Sequence, residues 1–190
     1  MRARIGRSGL VWIAMQLRAD ALEILLEWDR RWTRRLNASV GIAPIRLLFR
    51  LVSRLGNGAL WYALMLALSI TQGRTGLETA LRMFVAGAIG LLVYKLLKSA
   101  TTRARPYKVL RDIRAGIAPL DAFSFPSGHT LHAVAFTLVA ISGFPALAPV
   151  LVPFTLLIAL SRVVLGLHYP SDVLAGAAIG AGVAHVVLSV

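Results

Sequence analysis

The 190-residue sequence contains no cysteine and little charge. Without cysteine there is no disulfide, no thiolate metal site and no thiol nucleophile. Charged residues make up 15% of the chain, against about 25% in a usual soluble domain. Acidic residues are the scarcest part of that share, 8 against 21 Lys and Arg. With 57% hydrophobic residues and a mean hydropathy of +0.73, too few charges remain to clothe a soluble surface. The composition therefore places the chain in a membrane. The surplus of +13 is compatible with nucleic-acid binding. Its basic residues flank apolar segments, however, where anionic lipid headgroups account for them, and no nucleic-acid partner is expected.

What is present is a series of apolar runs. Arg2, Arg4 and Arg7 precede Leu10–Leu17, as in a signal peptide, but no small-x-small site follows and cleavage is not expected. Residues 10–36 instead set Trp12, Leu22, Leu25, Leu26 and Trp32 among Arg18, Glu23, Glu27, Arg30, Arg31 and Arg34 at helical spacing. This predicts an amphipathic helix lying in the interface, with a helix packed on the bundle as the alternative. Arg46, Arg50 and Arg54 follow at four-residue spacing and are expected to form a solvated face. Leu55–Gly73 and Leu77–Leu97 each suit a membrane span. The segment between Ala122 and Ser161 has no charged residue and suits two spans, hinged at Gly143-Phe144-Pro145. Val173–Val190 is the fifth, rich in small residues that permit close helix contact. The expected fold is all-α: a polytopic membrane helix bundle of about five transmembrane helices plus an N-terminal interfacial helix. It forms a single domain over 1–190, with 1–54 as a basic amphipathic segment and 55–190 as the bundle.

Three clusters interrupt the apolar pattern: Lys98-x6-Arg105-Pro106, Pro126-Ser127-Gly128-His129, and Ser161-Arg162-x5-His168-x3-Asp172. If successive spans alternate in direction, all three meet on one membrane face. Lys98, Arg105 and Arg162 would repel one another there unless an anion joined them, and a phosphate suits the arginine fork. Ser127 and Gly128 precede a helix, so their N–H groups can point at the same anion. Asp172, four residues after His168, can hold one ring nitrogen protonated and free the other for attack, with His129 placed to protonate a leaving oxygen. Asp172 is the one carboxylate in the three clusters, which disfavours a two-metal site. His132 and His185 are expected to be structural or, for His132, to line the pocket. Arg103, Lys108, Arg111 and Arg114 are expected in a solvated loop, with a second headgroup phosphate as the alternative they could serve.

These three motifs, in order and with these spacings, resemble the type 2 phosphatidic acid phosphatase superfamily. The resemblance covers roughly Lys98 to Asp172. It implies an all-α fold and a metal-free phosphatase with no cofactor, forming a phosphohistidine on His168. It makes His168, His129 and Asp172 catalytic, and Lys98, Arg105, Ser127, Gly128 and Arg162 phosphate-binding. The substrate class it implies is a membrane lipid phosphate or diphosphate: undecaprenyl diphosphate, phosphatidic acid, phosphatidylglycerophosphate or a lipid A phosphate. A lipid phosphotransferase using the same histidine, and a non-catalytic lipid-binding or transport protein, are the alternatives. The expected location is a bacterial cytoplasmic membrane, with both faces open for the site.

Overall fold

The computed structural model describes residues 7–119 and 121–190; Arg2 and Arg4 of the basic start lie outside them. Eight helices follow in order: α1 Arg7–Asn37, α2 Ala43–Leu55, α3 Ala59–Thr71, α4 Gly73–Ala100, the single turn α5 Pro106–Val109, α6 Gly128–Gly143, α7 Ala148–Val164 and α8 Pro170–Leu188. Among the described residues there is no strand, and one isolated bridge joins Ala104 to Phe123. The all-α bundle read from the sequence is the fold observed.

Among the described residues, three stretches are long and apolar enough to cross a membrane unaided, Gly73–Ala100, Pro145–Val164 and Pro170–Leu188, and the bent pair Ala19–Gly41 and Ala43–Leu55 reaches that length and apolarity only when taken together. The other two expected spans are shorter. The first is α3, which is cut to 13 residues by the turn at Gly56–Gly58 and by Gly73, whose φ of 57° closes a tight hairpin into α4. The second is α6, which ends at Gly143 after 16 residues, with Phe144-Pro145 making the expected hinge.

The helices α4, α6, α7 and α8 enclose the main core, in which Met83, Val139 and Ile158 are fully buried together with Trp61 of α3. Lipid tails are as apolar as these side chains, so close packing rather than transfer from water holds the bundle. Gly176 shows how close that packing is: a Cβ there would come within 2.5 Å of the Ser127 carbonyl oxygen. Around the outside, Leu66, Ile70, Phe84, Leu92, Leu156 and Leu174 are exposed, forming the lipid-facing belt.

The first helix is built inside out. Asp29, Thr33 and Asn37 recur every four residues and are buried against the protein, while Leu22, Ile24, Leu25, Trp28 and Trp32 face outward. Asn37 ties the end of α1 to the bundle through Nδ2 to the carbonyls of Val164 (2.8 Å) and Arg114 (2.9 Å). Leu22, Leu25 and Trp32 are exposed together with Glu23, Glu27, Arg30, Arg31 and Arg34, so the helix does not divide into the expected apolar and charged faces; it packs on the bundle through Asp29, Thr33 and Asn37, and the side chains of Trp12 and Arg18 lie outside the described residues. The basic stripe of α2 departs in part from a solvated face. Arg46 donates to the Val40 carbonyl at 3.0 Å and Arg50 to that of Gly116, because the turns before α2 and in the long loop leave carbonyls within reach.

Candidate active site

The end of α4, the start of α6, the end of α7 and the start of α8 lie on one face. Between them is a small cavity of about 30 Å3. Six residues singled out in the sequence line it: Lys98, Arg105, Gly128, His129, Arg162 and His168. Asp172 stands behind His168, and both are buried.

His168 is fixed by the turn after α7, where Gly166 takes φ 71° and the His168 N–H bonds to the Arg162 carbonyl at 3.1 Å. Its Nε2 is 3.3 Å from Arg105 Nη1. A guanidinium can only donate, so Nε2 is the unprotonated nitrogen and the ring proton rests on Nδ1. Nδ1 faces Asp172 Oδ2 at 3.8 Å, beyond hydrogen-bond reach, and has no other partner. Burial, followed by the charges of Arg162, Arg105 and Lys98, pushes the imidazole well below its ordinary pKa, so the ring is neutral.

Arg162 is buried at the end of α7, with Nη1 donating to Ser53 Oγ of α2 at 2.5 Å and Nε unpartnered. Arg105 donates through Nη1 to the Leu167 carbonyl at 2.8 Å and through Nε to the Asp121 carbonyl at 3.1 Å.

The anion demanded by three clustered cations is supplied by the protein itself. Asp121 Oδ1 is 2.7 Å from both Lys98 Nζ and Arg105 Nη2. Its Oδ2 accepts from the Tyr94 hydroxyl at 2.5 Å. Burial alone would raise the Asp121 pKa. The donors Lys98, Tyr94 and Arg105 outweigh it and hold the carboxyl at about 2.

Ser127 differs from expectation. Its N–H is spent on the Asp172 carbonyl at 3.1 Å and its hydroxyl meets Thr130 Oγ1 at 2.9 Å, so it braces α6 against α8 instead of facing the cavity. The N–H groups of Gly128 and His129, in the first turn of α6, lack intrahelical acceptors and remain suited to an anion. His132 bonds through Nδ1 to the Gly128 carbonyl at 2.9 Å. Lys108, Arg111 and Arg114 are exposed, as expected of a solvated loop.

Arg103 is a correction. It is not solvated but sits between two fully buried carboxylates, with Nη1 2.6 Å from Asp172 Oδ1 and Nη2 2.6 Å from Asp29 Oδ2. Sequence reasoning missed Asp29, Tyr94, Asp121 and Ser53. A signal existed for the two carboxylates: with eight acidic residues against 21 cations, every acidic residue beside an apolar segment is a candidate ion-pair partner.

From His129 a larger groove of about 450 Å3 runs outward between α3 and α4, past His132, Trp61, Tyr62, Met65, Phe84 and Leu91. Its wall is mostly apolar, and it opens beside the lipid-facing belt.

Residues 79–190 match the family described as the PAP2 superfamily. The chain is 31% identical over 203 aligned positions to a lipid A 1-phosphatase of Rhizobium johnstonii, covering 95% of this chain and 81% of that protein. It is 41% identical over 109 positions to a decaprenylphosphoryl-5-phosphoribose phosphatase of Mycobacterium tuberculosis, covering 56% of each. Among solved structures, LpxE of Aquifex aeolicus superposes with a TM-score of 0.74 at 26% identity, over 83% of this chain and 93% of that one. A transmembrane PAP2-type phosphatidylglycerolphosphate phosphatase of Bacillus subtilis shares the fold, with a TM-score of 0.69 at 22% identity over 94% and 92% of the two chains.

Proposed function

Because this chain belongs to the PAP2 superfamily of membrane lipid phosphatases, we propose that it removes phosphate from a lipid through a phosphohistidine on His168, without a metal. The observation that carries this reading is the placement of His168 Nε2. It is unprotonated, held 3.3 Å from Arg105, and shares a cavity with Lys98, Arg162 and His129 whose neighbour is an apolar groove.

Substrate phosphate displaces the Asp121 carboxylate and takes over Lys98 and Arg105. Arg162 and the N–H groups at the start of α6 complete the cradle, so charge developing on the phosphoryl oxygens meets donors already in place. The Nε2 lone pair forms the N–P bond as the bond from phosphorus to the lipid oxygen breaks. That oxygen keeps the electron pair and takes a proton from His129, which enters the step as the imidazolium once the bound phosphate anion offsets the charges of Arg162 and Arg105. The imidazolium so formed keeps its Nδ1 proton, and the Asp172 carboxylate opposite offsets its charge. In the second half, water gives a proton to His129 and attacks phosphorus, the N–P bond breaks, and inorganic phosphate leaves with His168 neutral again.

The groove supports an amphiphilic substrate whose tail lies between α3 and α4 while its phosphate reaches the cavity. Two substrate classes fit, and each has support among the relatives. The first is a polyprenyl phosphate or diphosphate such as undecaprenyl diphosphate. The second is an acylated lipid phosphate: phosphatidic acid, phosphatidylglycerophosphate or the 1-phosphate of lipid A. The bacterial cytoplasmic membrane is the proposed location, and residues 1–190 are proposed to act as one domain.

The test is phosphate release by the detergent-purified protein from these lipids, with EDTA present and His168→Ala in parallel. Release that survives EDTA and is lost in the variant is expected, with acid-labile, alkali-stable label on the wild type. Release that persists in His168→Ala overturns the nucleophile. Label that passes to an added alcohol in place of water would identify a phosphotransferase.

A further inference from the structure

The N-terminal helix reaches the site through one chain of charges. On α1, Asp29 is fully buried. Its Oδ1 accepts the Ser171 N–H at 2.9 Å, and its Oδ2 accepts the Ser171 hydroxyl at 2.5 Å and Arg103 Nη2 at 2.6 Å. Arg103 continues through Nη1 to Asp172 Oδ1 at 2.6 Å and to Ser171 Oγ at 2.8 Å, with its guanidinium 4.2 Å above the Tyr169 ring. The other oxygen of Asp172 accepts the Tyr169 N–H at 2.8 Å and faces His168 Nδ1. The two carboxylates outweigh the cost of burying Arg103 and raise its pKa above the ordinary value.

We infer that Asp29 and Arg103 are positioning residues for the reaction at His168, acting through Asp172, which makes the N-terminal helix a working part of the active site. The inference rests on His168 being the nucleophile. Asp29 lies outside the three motifs, and Arg103 is one of the unspecified positions between Lys98 and Arg105.

The charge count gives the reason. Arg103 alone would neutralise Asp172 and leave nothing to offset the imidazolium that forms when phosphorus bonds to Nε2. Asp29 neutralises Arg103 in turn. Asp29, Arg103 and Asp172 together carry one net negative charge while His168 is neutral, and that charge is matched when His168 becomes cationic. Geometry works in the same direction. Asp172 is held on one oxygen by Arg103 and on the other by a backbone N–H, so its approach to Nδ1 is set by where α1 anchors Arg103.

The two residues carry opposite charges, and this separates the inference from a merely structural role. The groups facing His168 are Lys98 and Tyr94 from α4, Arg105 and Asp121 from the long loop, His129 from α6, Arg162 from α7 and Asp172 from α8. None of these changes in the variants proposed. The acid limb of kcat/KM reports His168 losing its lone pair to a proton. Asp29→Asn removes a negative charge and moves that limb to lower pH; Arg103→Gln removes a positive charge and moves it to higher pH, each by about one unit. In both, kcat falls about tenfold, the usual cost of an outer partner. Arg103→Lys keeps the charge and leaves the limb in place. Asn37→Ala loosens α1 without touching the charges and is the structural control, expected to leave the limb unmoved.

The experiment is the pH profile of phosphate release by the purified full chain and these four variants on one lipid phosphate, with thermal unfolding recorded for each. Opposite shifts for Asp29→Asn and Arg103→Gln, and none for Asn37→Ala, are the expected result. Shifts in one direction for both, no shift in either, or an equal shift in Asn37→Ala overturns the inference. An active His168→Ala in the same series overturns the underlying mechanism instead.

Discussion

The Asp172 carboxylate stops 3.8 Å short of His168 Nδ1, close enough to act on the ring and too far to share its proton. In this state Asp172 is spent on Arg103 and on the Tyr169 N–H. A closing movement of about 1 Å would bring the pair to the 2.7–2.9 Å of a charge-assisted hydrogen bond. If that bond forms as the imidazolium develops, Asp172→Asn lowers kcat by about 10²- to 10⁴-fold and leaves KM within about threefold, the pattern of an orienting carboxylate lost from a triad. Steady-state kinetics on a lipid phosphate check it, and a variant that raises KM alone would place Asp172 in binding instead.

Asp121 occupies the donors of Lys98 and Arg105 that the proposed substrate phosphate would use. Removing its charge frees Lys98 and Arg105 for an incoming anion. Asp121→Asn is therefore expected to tighten competitive inhibition by inorganic phosphate about tenfold, or about 1.4 kcal/mol. The inhibition constant decides the matter. Weaker inhibition would mean that Asp121 holds the cations in position and does not compete with the substrate.

Arg162 lines the cavity with Nη1 held by Ser53 and Nε without a partner among the described residues. Lysine cannot reproduce the guanidinium fork. Arg162→Lys should lower kcat/KM by about 10²-fold. Ser53→Ala, which leaves the charge in place, should cost about 1 kcal/mol of stability. Kinetics and thermal unfolding separate the two effects.

The neutral state of His168 sets the pH response. Its pKa lies well below the ordinary imidazole value, so the ring is still unprotonated at pH values where a free histidine is charged. The acid limb of kcat/KM is thus expected below the free-histidine pKa of about 6.5. Linkage has the same origin: below about 6.5 the unfolded chain binds a proton that the buried ring refuses, so stability falls as pH drops from there toward the folded pKa. Melting temperature against pH reads this directly, and a melting temperature that rises as pH falls through that window would contradict a buried neutral ring.

Packing between α6 and α8 leaves no room at Gly176. Gly176→Ala drives a methyl into the Ser127 carbonyl and should cost about 1–3 kcal/mol, with a loss of activity because Ser127 braces the start of α6. Gly182→Ala has nothing within 4 Å and should be silent in both respects. The pair of melting curves is the check, and equal effects would reject the packing argument.

How much of this was legible in the sequence follows from the physics of each part. The bundle was readable because a span is a length of apolar residues, which sequence states outright. The shortening of α3 was not, because it depends on Gly73 adopting a positive φ within a run that still reads as apolar. Motif residues converged as expected because alternating helices put their ends together. Asp29 escaped because it lies 74 residues along the chain from Arg103, and Asp121 because, at the far end of the loop 16 residues from Arg105, it belongs to none of the three clusters. The inward turn of the polar stripe on α1 escaped for a related reason. Amphipathicity shows that a helix has two faces, not which of them meets protein once lipid can take the apolar one.

At 1.5 Å per residue, the 13 residues of α3 span about 20 Å, against about 30 Å for a hydrocarbon core. A bilayer meets a helix this short by thinning around it, and α3 is one wall of the groove that leads to His129. Should α3 cross the bilayer, the membrane would thin beside it, and headgroups entering the groove would ride closer to the depth of the site. Turnover would then depend on acyl-chain length in the host bilayer as well as on the substrate. Thin membranes would favour entry, and thick ones would make each arriving lipid stretch the thinned patch first.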